Sequence, residues 1–287
     1  MTRATLRNLA RRSLAALQGR ARPVRRVAIV SSPRSGNSWV RCVLAGVLEL
    51  DQIFVHNYFE APLILPDNCI LQLHWYREPN FQTFLRSHDF RVVVIARHPL
   101  DVLISTLHYA RLEKEANLWL GGNAEFTPSF FSAAPASPEF LEYATGWGAE
   151  NLLCVTHQWW HDQQAIRVRY EDLVRDPTGH FTEVITSLNG SSANLSAALQ
   201  KYGLKTWQAM RNKHGWQGRP GLWQDLIPFD EAIQIYERHR GVFDGLEYSI
   251  VRTPLTREEA LRNWQQMKVD PQPAPAASSA GPTLTSS

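Results

Sequence analysis

The stretch Val27-Ala-Ile-Val-Ser-Ser-Pro-Arg-Ser-Gly-Asn-Ser-Trp39 constrains the fold more than any other part of the chain. Four apolar residues in a row run into a turn holding Pro33 and Gly36, and a helical apolar period resumes from Ser38. A strand, a tight turn and a helix in that order make half of a strand–helix–strand unit. Three further runs have the same character: Cys69–Leu73, Val92–Ala96 and Ile166–Tyr170. Like Val27–Ser31 they are continuous rather than alternating in apolarity, as befits strands covered on both faces by crossover helices. Helical periods are expected over Ser38–Leu50, Pro99–Glu115, Pro138–Trp147, around Trp159 and over Asp230–Arg240. The expectation is an α/β fold, three layers α/β/α around a central, mainly parallel sheet.

The length of 287 residues suits one such domain, expected over residues 25–268. Residues 269–287, rich in proline, alanine and serine without apolar periodicity, are expected to be a disordered tail. Residues 1–24 form a basic extension. The first 26 residues hold eight arginines and no acid, and removing those eight from the 30 basic residues leaves 22 against 27 acidic ones, a balance near −5. An anion site in the body must therefore be built locally. The extension reads either as a solvated arm or as a contact to a membrane surface or a partner. No apolar run approaches the ~20 residues that span a bilayer. Three widely spaced cysteines, Cys42, Cys69 and Cys154, argue against a disulfide framework and fit a reducing, cytoplasmic compartment.

The turn after Val27–Ser31 has the spacing of a phosphate loop, with Ser31, Gly36 and Ser38 at its first, second-glycine and hydroxyl positions. Backbone amides at the start of the following helix cradle an anion, aided by the helix dipole. Two departures redirect the chemistry. Asn37 stands where a nucleotide triphosphatase has its lysine, and the cation comes three residues earlier, at Arg34. The strand Val92–Ala96 runs into Arg97, where a magnesium-dependent enzyme usually ends a strand in a carboxylate. The loop is thus suited to an anionic nucleotide bound without metal. Arg97 and Ser105, eight residues apart, form a clamp for a further phosphate; the alternative is an Arg97–Asp101 ion pair with Ser105 incidental.

These residues resemble the sulfotransferases that use 3′-phosphoadenosine 5′-phosphosulfate. Ser32-Pro-Arg-Ser-Gly-Asn-Ser-Trp39 is similar to the family's 5′-phosphosulfate loop, and Val92–Ser105 to its 3′-phosphate strand and helix. Val168-Arg-Tyr-Glu-Asp-Leu173 matches a strand-end motif, and Gly218-Arg-Pro-Gly-Leu-Trp223 resembles the loop that closes over the nucleotide. The four matches fall in the family's order. The resemblance implies that Arg34, Ser35, Gly36, Asn37 and Ser38 hold the 5′-phosphosulfate, that Arg97, Ser105, Gly218 and Arg219 hold the 3′-phosphate, and that Trp39 and Tyr170 contact the adenine end. It implies in-line transfer of a sulfuryl group from this donor to a hydroxyl or amine, with Arg34 stabilising the leaving phosphate and no metal.

His74, just after Cys69–Leu73, stands where relatives carry a histidine and is the candidate base; the alternative is a histidine satisfying a strand-end hydrogen bond. Gln72 replaces a lysine common in those relatives. Trp216-Gln-Gly218 replaces Arg-Lys-Gly, with Arg219, Lys213 or Arg211 as substitutes. The irregular, aromatic stretch Asn117–Trp147 is a candidate lid or acceptor wall. His157 and His161 have a metal-ligand spacing without a third ligand and read as scaffold. A small-molecule, carbohydrate or lipid acceptor is implied, and no nucleic acid. Two other readings compete: a small-molecule kinase, which calls for the missing lysine and acid, and a non-catalytic nucleotide binder on a membrane surface.

Overall fold

In the computed structural model of the chain the described residues are 25–267, apart from 205 and 207–215. The basic extension, the tail, and the substitute cations Lys213 and Arg211 lie outside them. Five strands form one sheet in the order β2-β3-β1-β4-β5, from β1 (Arg25–Val30), β2 (Asp51–Phe54), β3 (Asn68–Leu73), β4 (Phe90–Ala96) and β5 (Ile166–Arg169). All four pairings are parallel. The three-layer α/β/α expectation holds, with a sheet that is wholly parallel among the described residues.

The alternation of β1 separates two cores. Val27 and Ile29 face a cluster with α1 (Asn37–Leu48), α7 (Pro177–Ser187) and α8 (Leu195–Tyr202). Ala28 and Val30 face the other side, toward α2 (Pro79–Ser87), α3 (Pro99–Ala110) and α5 (Trp147–Trp160). All four side chains are fully buried, which is why the run is continuously apolar. Each such valine or isoleucine contributes roughly 1.5–3 kcal/mol of burial free energy. Because the strands are parallel, the loops after β1, β3, β4 and β5 all leave at one edge of the sheet, where ligands bind in open α/β sheets.

Several boundaries differ from expectation. The first helix stops at Leu48, where Glu49 turns left-handed (φ 54°), and β2 follows. The helix from Pro99 stops at Ala110, and 3-10 turns occupy Lys114–Gly122. The stretch Pro138–Trp147 is α4 (Pro138–Ala144) followed by the start of α5. The chain from β5 adds α6 (Tyr170–Arg175), and the C-terminal part adds α9 (Phe229–Arg238), α10 (Arg240–Gly245) and α11 (Arg257–Met267). Among the described residues no helix is long and apolar enough to cross a membrane.

Candidate active site

The loop between β1 and α1 is fixed from beneath. Ser31 Oγ accepts from the Ile95 amide at 2.6 Å, tying the loop to β4. Ser32 exchanges two bonds with Thr156 of α5, Ser32 N–H to Thr156 Oγ1 at 2.8 Å and Thr156 N–H to Ser32 Oγ at 3.1 Å. The Asn37 amide nitrogen donates to Ser32 O at 2.9 Å and closes the turn on itself. Asn37 is thus a scaffold for the loop as well as part of its lining, and its Oδ1, like Ser35 Oγ, is buried without a protein partner. Buried polar atoms left open in this way are unusual and call for a partner such as water, an ion or a ligand.

Gly36 is the residue the loop cannot replace. Its φ of 102° is left-handed, and a Cβ there would lie 2.6 Å from Tyr170 Cδ2. Arg34 is also left-handed, at φ 68°, a strained conformation for a residue with a Cβ and one found at functional sites. That turn sends its side chain into the cleft. Arg34 Nε donates to Ser105 Oγ at 3.1 Å, and the guanidinium carbon sits 4.6 Å over the Tyr109 ring. Burial brings the Arg34 pKa down to about 10, with Arg97 adding to the shift; the group stays charged at neutral pH.

Arg97 follows β4 and is 7% exposed. It donates to Arg34 O at 3.1 Å and lies 4.5 Å over the Tyr170 ring, while its Nε has no protein partner. Asp101 does not take it: both Asp101 oxygens accept from the distant backbone, Gly221 N–H at 2.8 Å and Trp223 N–H at 2.9 Å. The ion-pair alternative is therefore not the arrangement found. Arg34, in the loop after β1, and Arg97, just after the neighbouring β4, line one wall of the cleft. Two neighbouring guanidiniums, one buried and one half-buried, repel one another and have lost water, and an anion between them relieves both costs.

His74 is placed by register. Val30 pairs with Leu73, so the residue after each strand meets its neighbour, and His74 Nδ1 lies 2.7 Å from Ser31 O. A carbonyl only accepts, so Nδ1 carries the proton and Nε2 keeps its lone pair. Burial pushes the His74 pKa down to about 4, with Arg34 and Arg41 contributing. The ring is neutral at pH 7. It faces the cleft beside Trp119, with centroids 6.1 Å apart, and Phe54, at 6.4 Å.

One cleft is lined by Arg34, Gly36, Asn37, Ser38 and Trp39 of the first loop and helix, with His74, Arg97, Ser105, Tyr170 and Gly218 completing it. Ser35 is 1% exposed and lies beneath that wall. Trp39 is both lining and core, edge-on to Tyr170 and Phe181. Arg219 departs from expectation: its guanidinium pairs with Asp225 and does not line the cleft. Residues not assigned to the site from the sequence also line it, Gln72 and Tyr109 on the His74 side and Trp216, while Trp119 comes from the stretch expected as a lid or acceptor wall. Tyr109 has a helical signal, since it lies four residues after Ser105 on α3.

The sequence matches the Sulfotransferase domain family over residues 25–212, well over half of the chain. No curated protein matches it by sequence. Among solved structures it is similar in fold to a mouse sulfotransferase complexed with PAP, at a TM-score of 0.56 and 15% identity, covering 80% of this chain and 90% of that one. It is similar also to retinol dehydratase in complex with androsterone and the inactive cofactor PAP, at 0.52 and 16%, covering 82% and 84%. A second retinol dehydratase complex, with retinol and PAP, gives the same figures. The chain belongs to the sulfotransferase domain family and is an enzyme of sulfuryl transfer.

Proposed function

We propose that the cleft carries out in-line transfer of the sulfuryl group to a hydroxyl or amine of an acceptor that enters on the His74 side. The observation that carries this reading is the meeting, in one cleft, of a neutral imidazole with a free Nε2 lone pair and two guanidiniums beside the Gly36 turn. The open Ser35 hydroxyl and Arg97 Nε–H are hydrogen-bond donors and suit the donor's phosphate groups.

The acceptor heteroatom attacks sulfur while His74 Nε2 takes its proton, and the bond from sulfur to the bridging oxygen breaks. The charge that develops on that oxygen is met by Arg34 and by the amides at the start of α1. Arginine cannot hand over a proton near neutral pH, so Arg34 acts as a hydrogen-bonding clamp and not as an acid. Arg97, Ser105 and the Gly218 segment hold the 3′-phosphate. Phe54, Tyr109 and Trp119 give the acceptor side an aromatic wall, which suits a small molecule, a lipid alcohol or a sugar face. The retinol and androsterone held by the fold relatives agree with the first two of these.

The test is donor consumption with sulfur-labelled donor and a mixed acceptor set, comparing wild type with Arg34→Ala and His74→Ala. Both variants are expected to bind 3′-phosphoadenosine 5′-phosphate and to transfer little label. Near-normal transfer by Arg34→Ala removes the clamp from the mechanism, and the same result for His74→Ala moves the base elsewhere.

A further inference from the structure

We infer that Asp101 and His108 are positioning residues that clamp the 216–223 segment along α3, and so set Gly218 opposite Arg97 and Ser105. The inference rests on the reading that these three hold the donor's 3′-phosphate. Residues 101, 105 and 108 are spaced four and three apart and share one helical face. Ser105 is thus flanked on its own helix by the two residues that hold the segment.

At one end Asp101, 1% exposed, receives the Gly221 and Trp223 amides at 2.8 and 2.9 Å. At the other end the Trp216 indole stacks on the His108 ring, centroids 4.1 Å apart and planes 10° apart, with Trp264 edge-on behind it at 5.6 Å. Between these anchors Gly218 O accepts from Tyr170 OH at 2.7 Å, on the same ring that underlies Arg97.

Past Gly221 the chain is also held by the core, where Leu222 and Trp223 are buried and Trp223 stacks on His98 at 5.1 Å; the turns before it are exposed or half-buried. Gly218 and Gly221 are both left-handed, at φ 61° and 72°, and Pro220 lies between them. A chain of this kind has no ladder of its own and takes its position from what it docks on. Its cation does not provide the docking, because Arg219 is turned to Asp225. Where relatives begin this loop with basic residues, the chain has Trp216, and that residue is fixed by an aromatic stack. Asp101 therefore reaches across 120 residues of sequence to couple the strand end that bears Arg97 to the loop that covers it.

Calorimetric titration with 3′-phosphoadenosine 5′-phosphate and with adenosine 5′-monophosphate separates this clamp from a general structural role. Asp101→Asn replaces one acceptor oxygen by an amide that cannot receive an N–H. It should weaken the 3′-phosphorylated nucleotide by about 10–30-fold and leave the monophosphate within about twofold. His108→Ala should cost about 3–10-fold in the same selective way, and His108→Phe should restore binding by keeping the stack. If Asp101→Asn does not fold, the His108 pair decides. Both variants retaining the wild-type ratio of the two affinities overturns the clamp, as does His108→Phe binding no better than His108→Ala. Wild-type protein with no preference for the 3′-phosphorylated nucleotide defeats the donor-subsite reading itself, a different result from either.

Discussion

Replacing Gly36 by alanine tests the anion cradle at its narrowest point. The residue sits at φ 102°, and an added Cβ would lie 2.6 Å from Tyr170 Cδ2 and 3.0 Å from Cε2. A left-handed residue with a Cβ costs roughly 1–2 kcal/mol. The overlap adds about 1–3 kcal/mol, because the ring has little room to swing. Tyr170 is 3% exposed, packs edge-on to Trp39 at 6.0 Å, and is tied through its hydroxyl to Gly218 O. If the ring gives way, Arg97 and Gly218 move with it, and about 2 kcal/mol of lost binding weakens 3′-phosphoadenosine 5′-phosphate about 30-fold. If the backbone gives way instead, the cost falls on folding and lowers Tm by roughly 5–10 °C. Titration calorimetry and thermal unfolding of the same samples measure both. A Gly36→Ala protein with wild-type affinity and wild-type Tm refutes the account of this turn.

His74→Ala should lower kcat by about 10²–10⁴-fold at pH 7 while leaving nucleotide affinity near wild type, as steady-state rates and calorimetry together would report. Arg34→Ala should cost about 10²–10³-fold or more in single-turnover rate, and Arg34→Lys should recover part of that loss. Stability should fall in acid. His74 has a folded pKa of about 4, below its unfolded value of ~6.5, so the unfolded state binds more protons between these limits. The native state loses about 2 kcal/mol from this group on going from pH 7 to pH 5. His108, pushed down to about 3 by burial, acts in the same direction. Urea unfolding at both pH values should show a smaller acid penalty in His74→Gln than in wild type, and an equal penalty would contradict the buried, neutral ring.

The parts legible in the sequence are those whose physics is local. Val27–Val30 reads as a buried strand because all four side chains are covered, and Gly36 marks its turn because few other residues adopt its φ. β2 escaped notice because it is an edge strand of four residues, half-exposed and alternating, beginning with Asp51 and Gln52. α2 is nine residues on the sheet's flank, with only Phe81 and Leu85 buried, too short a stripe to stand out. The partner of Asp101 could not be read at all, since the competing Arg97 is four residues away and the amides it binds are 120 and 122 residues away. Trp119 is legible only as part of the irregular stretch Asn117–Trp147, a candidate acceptor wall. It reaches the cleft from a stretch with left-handed Leu120 and Gly121, which no periodicity announces. Arg219, a cation placed by motif, is turned to Asp225, six residues on, a pairing that no spacing in the motif announces.

The central claim is that Arg34, Arg97 and the Gly36 turn hold a 3′-phosphorylated phosphosulfate nucleotide and release its sulfuryl group toward His74. Incubating the full chain with sulfur-labelled donor and a mixed set of phenolic, lipid and carbohydrate acceptors, then separating nucleotides from products, tests it most directly. Label is expected on at least one acceptor, with an equal amount of 3′-phosphoadenosine 5′-phosphate formed and no requirement for magnesium. Nucleotide bound but label retained on the donor with every acceptor, or phosphate transferred from ATP with magnesium in the same assay, would contradict it.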